Sequence, residues 1–282
     1  MLPRQQRLLQ RSRMTPKRFR ETVYAHYERE GRHHLPWRRT RDPYRILVSE
    51  IMLQQTQVDR VRPLYARFLE RFPTVAALAE APLREVLVLW QGLGYNRRAR
   101  MLHDAAKAIV ATHGGKVPKD IQALEALPGI GHYTARAVAA FAYNADVVFV
   151  ETNLRTAVIH EFFKDREEVR DTEILAVLAK AHPAGESRRW YAALMDYGAH
   201  LKRSGVRVNA KSATYVKQAP FRGSEREARG ALLRALAKGP KTRAYLAGIL
   251  GPDRKEQVLR NLERLAAEGF VTRAKGGYRL SD

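Results

Sequence analysis

Two glutamates are candidates for acid–base chemistry because each lies beside apolar residues. Glu50 falls between Val48 and Ile51 in ILVSEIMLQQTQV, and Glu151 follows the apolar residues 147–150. An ionised carboxylate in such surroundings is costly unless it is paired, so the pKa of Glu50 is expected to rise. A carboxylic acid that stays protonated near neutral pH can act as a general acid. The alternative is a structural acid that pairs with a neighbouring arginine.

The stretch before Glu151 has the composition of a phosphate-binding turn. It runs through Leu127, Pro128, Gly129, Ile130 and Gly131. Proline donates no backbone hydrogen bond, and glycine accepts backbone angles closed to other residues. Such a turn can present bare N–H groups at the start of the next helix, which is predicted over residues 134–143. A phosphate clamp one helix upstream of a buried acid favours chemistry on a nucleic acid.

Two further segments carry side chains suited to bases and phosphates. Gln54 and Gln55 have amides that both donate and accept hydrogen bonds, which suits reading base edges or filling the space of a displaced base. Tyr95 lies in the turn GLGYNRRAR, where an aromatic ring for stacking stands beside Arg97 and other arginines. Both segments therefore predict contacts with nucleic acid.

Two nearby residues have structural alternatives that the sequence leaves open. Trp37, in the loop LPWRRTRDPYR, either stacks on a base or fills a core. Arg98, beside Tyr95, either contacts phosphate or pairs with an acid such as Glu85.

Composition favours a polyanionic partner. The chain has 282 residues, and 51 Lys and Arg against 29 Asp and Glu give a formal net charge of +22. This excess attracts phosphates and predicts an affinity that falls steeply with salt, although an unrelated basic enzyme is compatible with it. The sequence contains no cysteine, which excludes disulfides, thiolate zinc sites and cysteine-ligated iron–sulfur clusters.

The N-terminal residues 1–14 are basic and are interpreted as a disordered arm. An organelle transit peptide, or a true start at Met14, is the alternative. No run approaches the ~20 apolar residues of a membrane span, so we expect no membrane contact and a cytoplasmic, nucleoid-associated location.

Apolar spacing predicts helices through most of the chain. The predicted helices cover residues 15–32, 46–58, 63–72, 75–80, 82–90, 97–111, 134–143, 154–163, 172–184 and 187–203. Residues 204–223 are interpreted as a loop and linker. Residues 223–282 predict three helices and a two-stranded hairpin, which resemble a winged helix. The third of these helices is the predicted recognition helix, and its Arg254, Lys255 and Arg260 are predicted to contact DNA; packing on a protein partner is the alternative.

Several long segments, taken in order, resemble the helix-hairpin-helix DNA glycosylases, and most closely the MutY-type adenine-DNA glycosylases. They are LPWR, DPYRILVSEIMLQQTQV, APLREVLVLWQGLGYNRRAR, LPGIGHYTARAV and the acid-x-Asn of ETNLR. The resemblance implies an all-α, two-lobed fold. A six-helix barrel would cover residues 43–145, and residues 15–42 plus 146–222 would form a lobe without an iron–sulfur cluster. The small winged-helix-like domain would follow at 223–282.

The resemblance also implies roles for individual residues. Glu50 matches the acid and water-activating position, and Glu151 matches the carboxylate that stabilises the sugar cation, with Asn153 completing its motif. Trp37 and Arg38 match the rim of the base pocket.

The remaining matches concern DNA contacts. Gln54, Gln55 and Tyr95 match positions that probe or wedge the duplex when the target nucleotide is flipped out. The turn 127–131 would grip a phosphate, with its carbonyls able to hold a monovalent cation. The expected partner is double-stranded DNA, bound by a monomer, and no other cofactor is expected.

Three departures from the family pattern bear on function. Glu151 stands where the family usually has Asp, and one extra methylene moves the carboxylate by more than an ångström. Tyr133 stands where lyase relatives carry Lys, which implies hydrolysis without strand cleavage and is similar to thymine-mismatch glycosylases. Residues 201–221 lack the four cysteines of most relatives, as in clusterless members, and the long domain that reads 8-oxoguanine is absent from the sequence.

The expected function is that of a monofunctional DNA glycosylase in base excision repair. Adenine mispaired with guanine or 8-oxoguanine is the first expected substrate. Thymine or uracil opposite guanine, or another damaged base, is the alternative, and a catalytically silent DNA-binding paralogue is the second alternative.

Overall fold

The computed structural model describes residues 14–215 and 219–282, and most of these are helical. The α-helices are α1 (Pro16–Glu30), α2 (Pro43–Leu53), α3 (Val58–Arg71), α4 (Val75–Glu80), α5 (Leu83–Leu89), α6 (Arg97–His113), α7 (Ile121–Glu125), α8 (His132–Tyr143), α9 (Thr152–Phe162), α10 (Asp171–Ala181), α11 (Ser187–Arg203), α12 (Glu225–Ala237), α13 (Arg243–Gly248) and α14 (Lys255–Ala267). Strands β1 (Val271–Ala274) and β2 (Gly277–Leu280) follow. The expected all-α fold with a small C-terminal unit is confirmed, whereas the predicted arm before Met14 lies outside the described residues.

The chain groups into two compact units. Among the described residues, the first unit comprises residues 14–46 and 131–215, and the second comprises residues 47–130 and 219–282. The breaks differ from the lobe boundaries drawn from the sequence, because α8 packs against α11 within the first unit. The C-terminal residues group with Leu47–Ile130, since α12 packs on α5.

Helix α11 is the centre of the first unit, and α1, α8 and α9 all pack against it. Its apolar residues recur at helical spacing and include Trp190, which is fully buried. The Phe19 ring on α1 meets the Trp190 ring edge-on at 5.9 Å and the Phe162 ring of α9 at 5.2 Å. Edge-to-face aromatic contacts of this kind add to the burial of apolar area.

A buried carboxylate ties the loop after α1 to α11. Asp196 is 2% exposed, and the Arg32 guanidinium donates to its Oδ1 from Nε (2.8 Å) and Nη2 (2.6 Å). The Arg32 backbone N–H donates to Oδ2 at 2.8 Å. Arg188, also on α11, donates to the carbonyl oxygens of Arg38 (2.9 Å) and Thr40 (2.5 Å). The loop therefore has its polar groups satisfied from α11.

In the second unit, α6 packs against α4 and α5. The rings of Phe68 and Phe72 lie 5.0 Å apart, and Phe68 meets the Trp90 ring at 5.9 Å. Helix α6 ends at Gly114, whose φ of +57° is readily accepted by glycine.

The C-terminal residues form three helices and a hairpin, as predicted. Ser224 caps α12, and its side chain accepts a hydrogen bond from the Glu227 N–H. The two strands pair antiparallel, with Val271 opposite Leu280. An antiparallel bridge between Lys241 and Tyr278 adds the segment before α13 to the hairpin. The core of this part is apolar and consists of Leu232, Leu236, Leu246, Val258, Leu262, Leu265 and Phe270.

Candidate active site

Glu50 lies on α2, one turn before the helix ends at Leu53. It is 6% exposed, and its neighbours Ser49 and Ile51 are each 1% exposed. The burial expected from the sequence is therefore present. An enclosed acid on a regular helix is held in a fixed position, which is the condition for its predicted role as a general acid.

Glu151 is the N-cap residue of α9. Its backbone is extended, with φ −140° and ψ 177°. Its Oε1 accepts hydrogen bonds from the backbone N–H groups of Asn153 (2.8 Å) and Leu154 (2.9 Å). The Asn153 side-chain amide donates to Oε2 at 3.2 Å. Helix caps are usually short side chains such as Asp or Ser, yet this longer glutamate reaches the same N–H groups. Three donors thus fix the carboxylate.

The pKa of Glu151 responds to opposing influences. Burial of the carboxylate raises its pKa, and this outweighs the hydrogen bonds from the Asn153 and Leu154 N–H groups and the charges of Lys202 and Arg155, which lower it. The residue as a whole keeps intermediate exposure. Desolvation lowers the pKa of Lys202, which lies on α11, while Glu151 raises it.

Helices α9 and α11 approach each other closely at Gly198. A Cβ atom on Gly198 would lie 2.0 Å from the carbonyl oxygen of Asn153 and 2.6 Å from its carbonyl carbon. Real Cβ atoms are essentially never found at such distances. The glycine therefore allows the short distance between α11 and the start of α9, where Glu151 is the cap.

Tyr133 contacts the segment that leads to Glu151. Its ring meets the Phe149 ring edge-on, with centroids 5.6 Å apart. Phe149 stacks on Tyr191 at 4.0 Å, and the Tyr191 hydroxyl donates to the carbonyl oxygen of Val147 at 2.6 Å. This row of rings holds the segment before Glu151 against α11.

The predicted phosphate-binding turn is anchored by apolar side chains. Leu127 and Ile130 are 5% and 3% exposed. Gly129 has φ +73°, and a Cβ there would lie 2.3 Å from the Met101 Cβ, so only glycine fits. Gly131 is exposed and is the N-cap of α8, and no side chain in the described residues caps that end. This geometry is compatible with phosphate contact, which stays a prediction.

Trp37 is only 7% exposed, in the short 3-10 helix Pro36–Arg38. Of the two interpretations of this residue, its burial favours the core. Arg38 lies close to Asp196 (Nη2 to Oδ1, 3.4 Å) and over the Phe141 ring at 5.4 Å. Its side chain is 10% exposed, and its Nη1 is buried without a hydrogen-bond partner among the described residues.

In the second unit, residues predicted to contact DNA line one cavity of about 350 Å³. They are Gln54, Gln55, Tyr95 and Arg97. Arg98 also lines the cavity. Glu85, its possible partner from the sequence, pairs with Arg71 in the structure. Burial lowers the pKa of Arg98 to about 10.

The Arg98 guanidinium instead connects the end of α2 to the turn before α6. It donates to the carbonyl oxygens of Ile51 (2.8 Å), Met52 (2.9 Å), Gln54 (2.6 Å), Leu93 (3.2 Å) and Gly94 (3.1 Å), and to the Thr56 hydroxyl (3.0 Å). One side chain therefore satisfies the open carbonyls of a helix end and orders the turn that carries Tyr95.

The three basic residues predicted on the winged-helix recognition helix differ in their surroundings. Arg254 is held within its own domain: it pairs with Glu227 at 2.6 Å and donates to the Gln257 amide oxygen at 2.9 Å. Lys255 and Arg260 lie at the surface. DNA contact by these residues stays a prediction.

The sequence analysis did not single out Gly198, Lys202, Arg226 or Arg229. A glycine inside a helix pattern is a usable indication of close packing, because glycine weakens a helix. Arg226 and Arg229 stand three apart on a predicted helix and so share one face. Nothing in the local pattern distinguishes Lys202 from other basic residues.

One group in the first unit has metal-ligating side chains. Ligand atoms of His26, Glu30 and His200 all lie within 4.8 Å of one another. Glu30 is 3.9 Å from His26 and 3.5 Å from His200, distances of ion pairs that depend on imidazole protonation. Burial, followed by the charge of His200, lowers the pKa of His26.

In the described part of the chain, no helix is both long enough and apolar enough to span a membrane.

Comparison with known proteins agrees with these features. A family model described as HhH-GPD superfamily base excision DNA repair protein matches residues 48–182. The chain is 38% identical to an adenine DNA glycosylase of Mycolicibacterium smegmatis, over 90% of this chain and 92% of the relative. It is 37% identical to one of Mycobacterium tuberculosis, over 93% of each chain. The solved structure of a thermostable thymine-DNA glycosylase is similar to this fold, with a TM-score of 0.59 and 25% identity, over 71% of this chain and 96% of that chain. The chain therefore belongs to the HhH-GPD superfamily of base excision DNA repair proteins.

Proposed function

We propose that this protein is a DNA glycosylase that hydrolyses the N-glycosidic bond of adenine mispaired with guanine or 8-oxoguanine. The observation that carries the proposal is two carboxyl groups, Glu50 buried on α2 and Glu151 held by three hydrogen bonds at the cap of α9. The two mycobacterial relatives named adenine DNA glycosylase match nine-tenths of the chain, which supports adenine as the base.

Glu50 is the proposed general acid. Loss of a base from a deoxyribose leaves electrons on the base, so protonation of the base lowers the barrier. Glu50 is 6% exposed, so its carboxyl group is enclosed by protein as this role requires. Once the base has left, the same carboxylate can take a proton from the attacking water.

Glu151 is the proposed stabiliser of the sugar cation. Bond cleavage passes through an oxocarbenium-like sugar, and a fixed negative charge stabilises it without reorganisation. The Asn153 amide and the two N–H donors hold this carboxylate in one orientation. The family position usually holds Asp, and here the cap geometry anchors the longer side chain at the helix start.

We further propose that the reaction stops at hydrolysis. A lyase needs an amine that forms a Schiff base with the opened sugar. Tyr133 occupies the corresponding position, and its phenol provides no such amine. The expected product is an intact strand with an abasic site, and no borohydride-trappable adduct should form.

We propose that the protein works as a monomer at the nucleoid, on double-stranded DNA whose target base is flipped out of the helix. The large positive charge and the exposed Gly131 cap of α8 support this contact with phosphates. No iron–sulfur cluster is expected, because the sequence has no cysteine. Iron above background in purified protein would contradict this part of the proposal, and light scattering would test the monomer.

A second candidate is removal of thymine or uracil opposite guanine. Two observations favour it: Tyr133 at the position of the lyase lysine, and the structural similarity to a thymine-DNA glycosylase.

Single-turnover excision on a panel of duplexes tests these proposals. The panel contains A opposite 8-oxoguanine, A·G, T·G, U·G, and alkylated, deaminated and oxidised bases. Release of adenine supports the main proposal, release of thymine or uracil supports the second candidate, and release of no base would point to a silent DNA-binding protein. Glu50→Gln should abolish excision, whereas Glu70→Gln, which changes an exposed glutamate in the same unit, should not. Full activity of Glu50→Gln would refute the assignment.

A further inference from the structure

The cavity of about 350 Å³ in the second unit contains side chains from the C-terminal residues. Arg226 and Arg229 of α12 line it together with Gln54, Gln55, Tyr95 and Arg97. Its size falls within the range of ligand-binding pockets, roughly 300–1,000 Å³. The lining combines an aromatic ring, amides and guanidinium groups, which are the groups that recognise a nucleotide.

The backbone of the cavity is unusual at two lining residues. Gln55 has φ +53° and Tyr95 has φ +48°, a region that residues other than glycine rarely adopt. Backbone conformations of this kind persist where surrounding contacts enforce them, and they cluster at functional sites. At Tyr95 such contacts come from Arg98, whose guanidinium lies 5.4 Å from the ring centroid, and from Arg226 at 5.5 Å.

Arg226 also forms a directional bond with Tyr95. Its Nη1 donates to the Tyr95 hydroxyl at 2.9 Å, and its Nη2 donates to the carbonyl oxygen of Ala219 at 2.6 Å. Both terminal nitrogens of the side chain are thus held, and one of them is bonded to the hydroxyl of Tyr95, which lines the cavity. The orientation of Tyr95 depends on a residue of the C-terminal part of the chain.

The charges in the cavity are only partly balanced. Glu268 accepts two hydrogen bonds from Arg229, at 3.0 and 2.7 Å, and lies 3.8 Å from Arg97. Within the described residues, Arg226 and Arg98 bond only to neutral acceptors. The cavity therefore has an excess of positive charge, which an anionic ligand would neutralise.

We infer that Arg226, on α12, contacts the phosphate of a duplex nucleotide that enters this cavity and positions Tyr95 against its base. The inference rests on the DNA glycosylase function proposed above. It assigns the C-terminal part of the chain a place in the DNA-binding surface, through α12.

Binding of a labelled duplex by the full-length protein tests the inference. The probe carries a tetrahydrofuran abasic site opposite guanine or opposite cytosine, and fluorescence anisotropy gives Kd over a range of salt concentrations. Arg226→Met should weaken binding roughly tenfold and lower the slope of log Kd against log salt by about one, as for loss of one phosphate contact. Arg226→Lys should keep the slope and regain only part of the affinity, because lysine lacks the planar fork of donors.

Arg234→Met is the matched control, because Arg234 is exposed on the same helix and carries the same charge. It should bind as the wild type does. Identical affinity and salt slope for Arg226→Met and Arg234→Met would overturn the inference. So would a loss of affinity in Arg226→Met that is matched by a lowered Tm and leaves the salt slope unchanged.

A double-mutant cycle tests the positioning role. Tyr95→Phe keeps the ring and removes the hydroxyl that accepts from Arg226. If Arg226 acts partly through Tyr95, the double variant should lose less affinity than the two single losses combined, and strict additivity would refute positioning. These binding assays require no excision. Binding as expected without excision of any base would refute the proposed function alone, and excision with unchanged Arg226→Met binding would refute this inference alone.

Discussion

The closest helix contact beside the candidate carboxylate gives a sharp prediction for Gly198→Ala. The added Cβ would lie 2.0 Å from the Asn153 carbonyl oxygen, and ordinary contact begins at 3.4 Å. The start of α9 must therefore retreat by about 1.4 Å, since the obstructing atoms are backbone and cannot rotate away. Glu151 caps this helix end and its carboxylate is bonded to the Asn153 and Leu154 N–H groups, so it should move with them.

The expected effects on activity and stability differ in size. A displacement of about 1 Å in a catalytic group can lower the rate about a hundredfold. Overpacking typically costs about 1–3 kcal/mol of stability. The higher helix propensity of Ala than of Gly offsets up to about 1 kcal/mol of this loss of stability. Gly198→Ala should therefore keep most of its folded population while losing most of its excision rate.

The assay is single-turnover excision together with urea unfolding. Gly248→Ala is the matched control, because Gly248 also lies in a helix and an added Cβ there meets nothing within 4 Å. The control should keep wild-type activity. A Gly198→Ala variant that excises at the wild-type rate would refute the proposed link between the α9–α11 contact and the position of Glu151.

Three further predictions follow from the same contacts. Burial raises the pKa of Glu151 in the folded protein, so the ionised carboxylate lowers the free energy of unfolding as the pH rises above 4.5, the ordinary pKa of this group. Glu151→Gln should therefore resist urea better than the wild type at pH 7. The advantage should vanish as the pH falls toward 4.5. A pH-independent difference between the two proteins would contradict this. Tyr133→Lys should introduce a borohydride-trappable adduct and strand nicking, and its absence would argue against the position assigned to Tyr133. Arg98→Met removes the guanidinium from five carbonyls, four of them in partly buried hydrogen bonds, and should lower the unfolding free energy by about 3 kcal/mol, measured in urea.

Local sequence pattern was sufficient for the burial of Glu50, although the predicted helix 46–58 was wrong at its end: α2 stops at Leu53, and Gln54 and Gln55 lie in the turn that follows. The apolar residues around Glu50 predicted an enclosed acid, and its exposure is 6%. Helix spacing also predicted the C-terminal helices and hairpin, because each has its own apolar face and turn residues. These features depend on residues close together in the chain, which is why pattern alone identifies them.

Features that depend on distant residues could not be predicted. The sequence placed Glu151 at the end of an apolar run, yet its role as a helix cap depends on where α9 begins. Trp37 was equally compatible with stacking on a base and with a core, and its burial is set by packing within the first unit. For Arg98 the sequence left phosphate contact and pairing with an acid such as Glu85 open, whereas the structure shows it bonded to carbonyls at a helix end, which have no signature in side-chain composition.

The C-terminal part of the chain has basic residues on two helices, and the sequence indicated only one of them. The sequence analysis assigned DNA contact to α14, because a winged helix usually reads DNA with its third helix. Arg254 is engaged with Glu227 and Gln257, and Lys255 and Arg260 lie at the surface, whereas Arg226, on α12, reaches the cavity that contains Tyr95. The difference arises from docking: α12 packs on α5, which brings its arginines to the turn before α6. A module that docks through its first helix can therefore contribute to DNA binding through that helix, independently of its recognition helix.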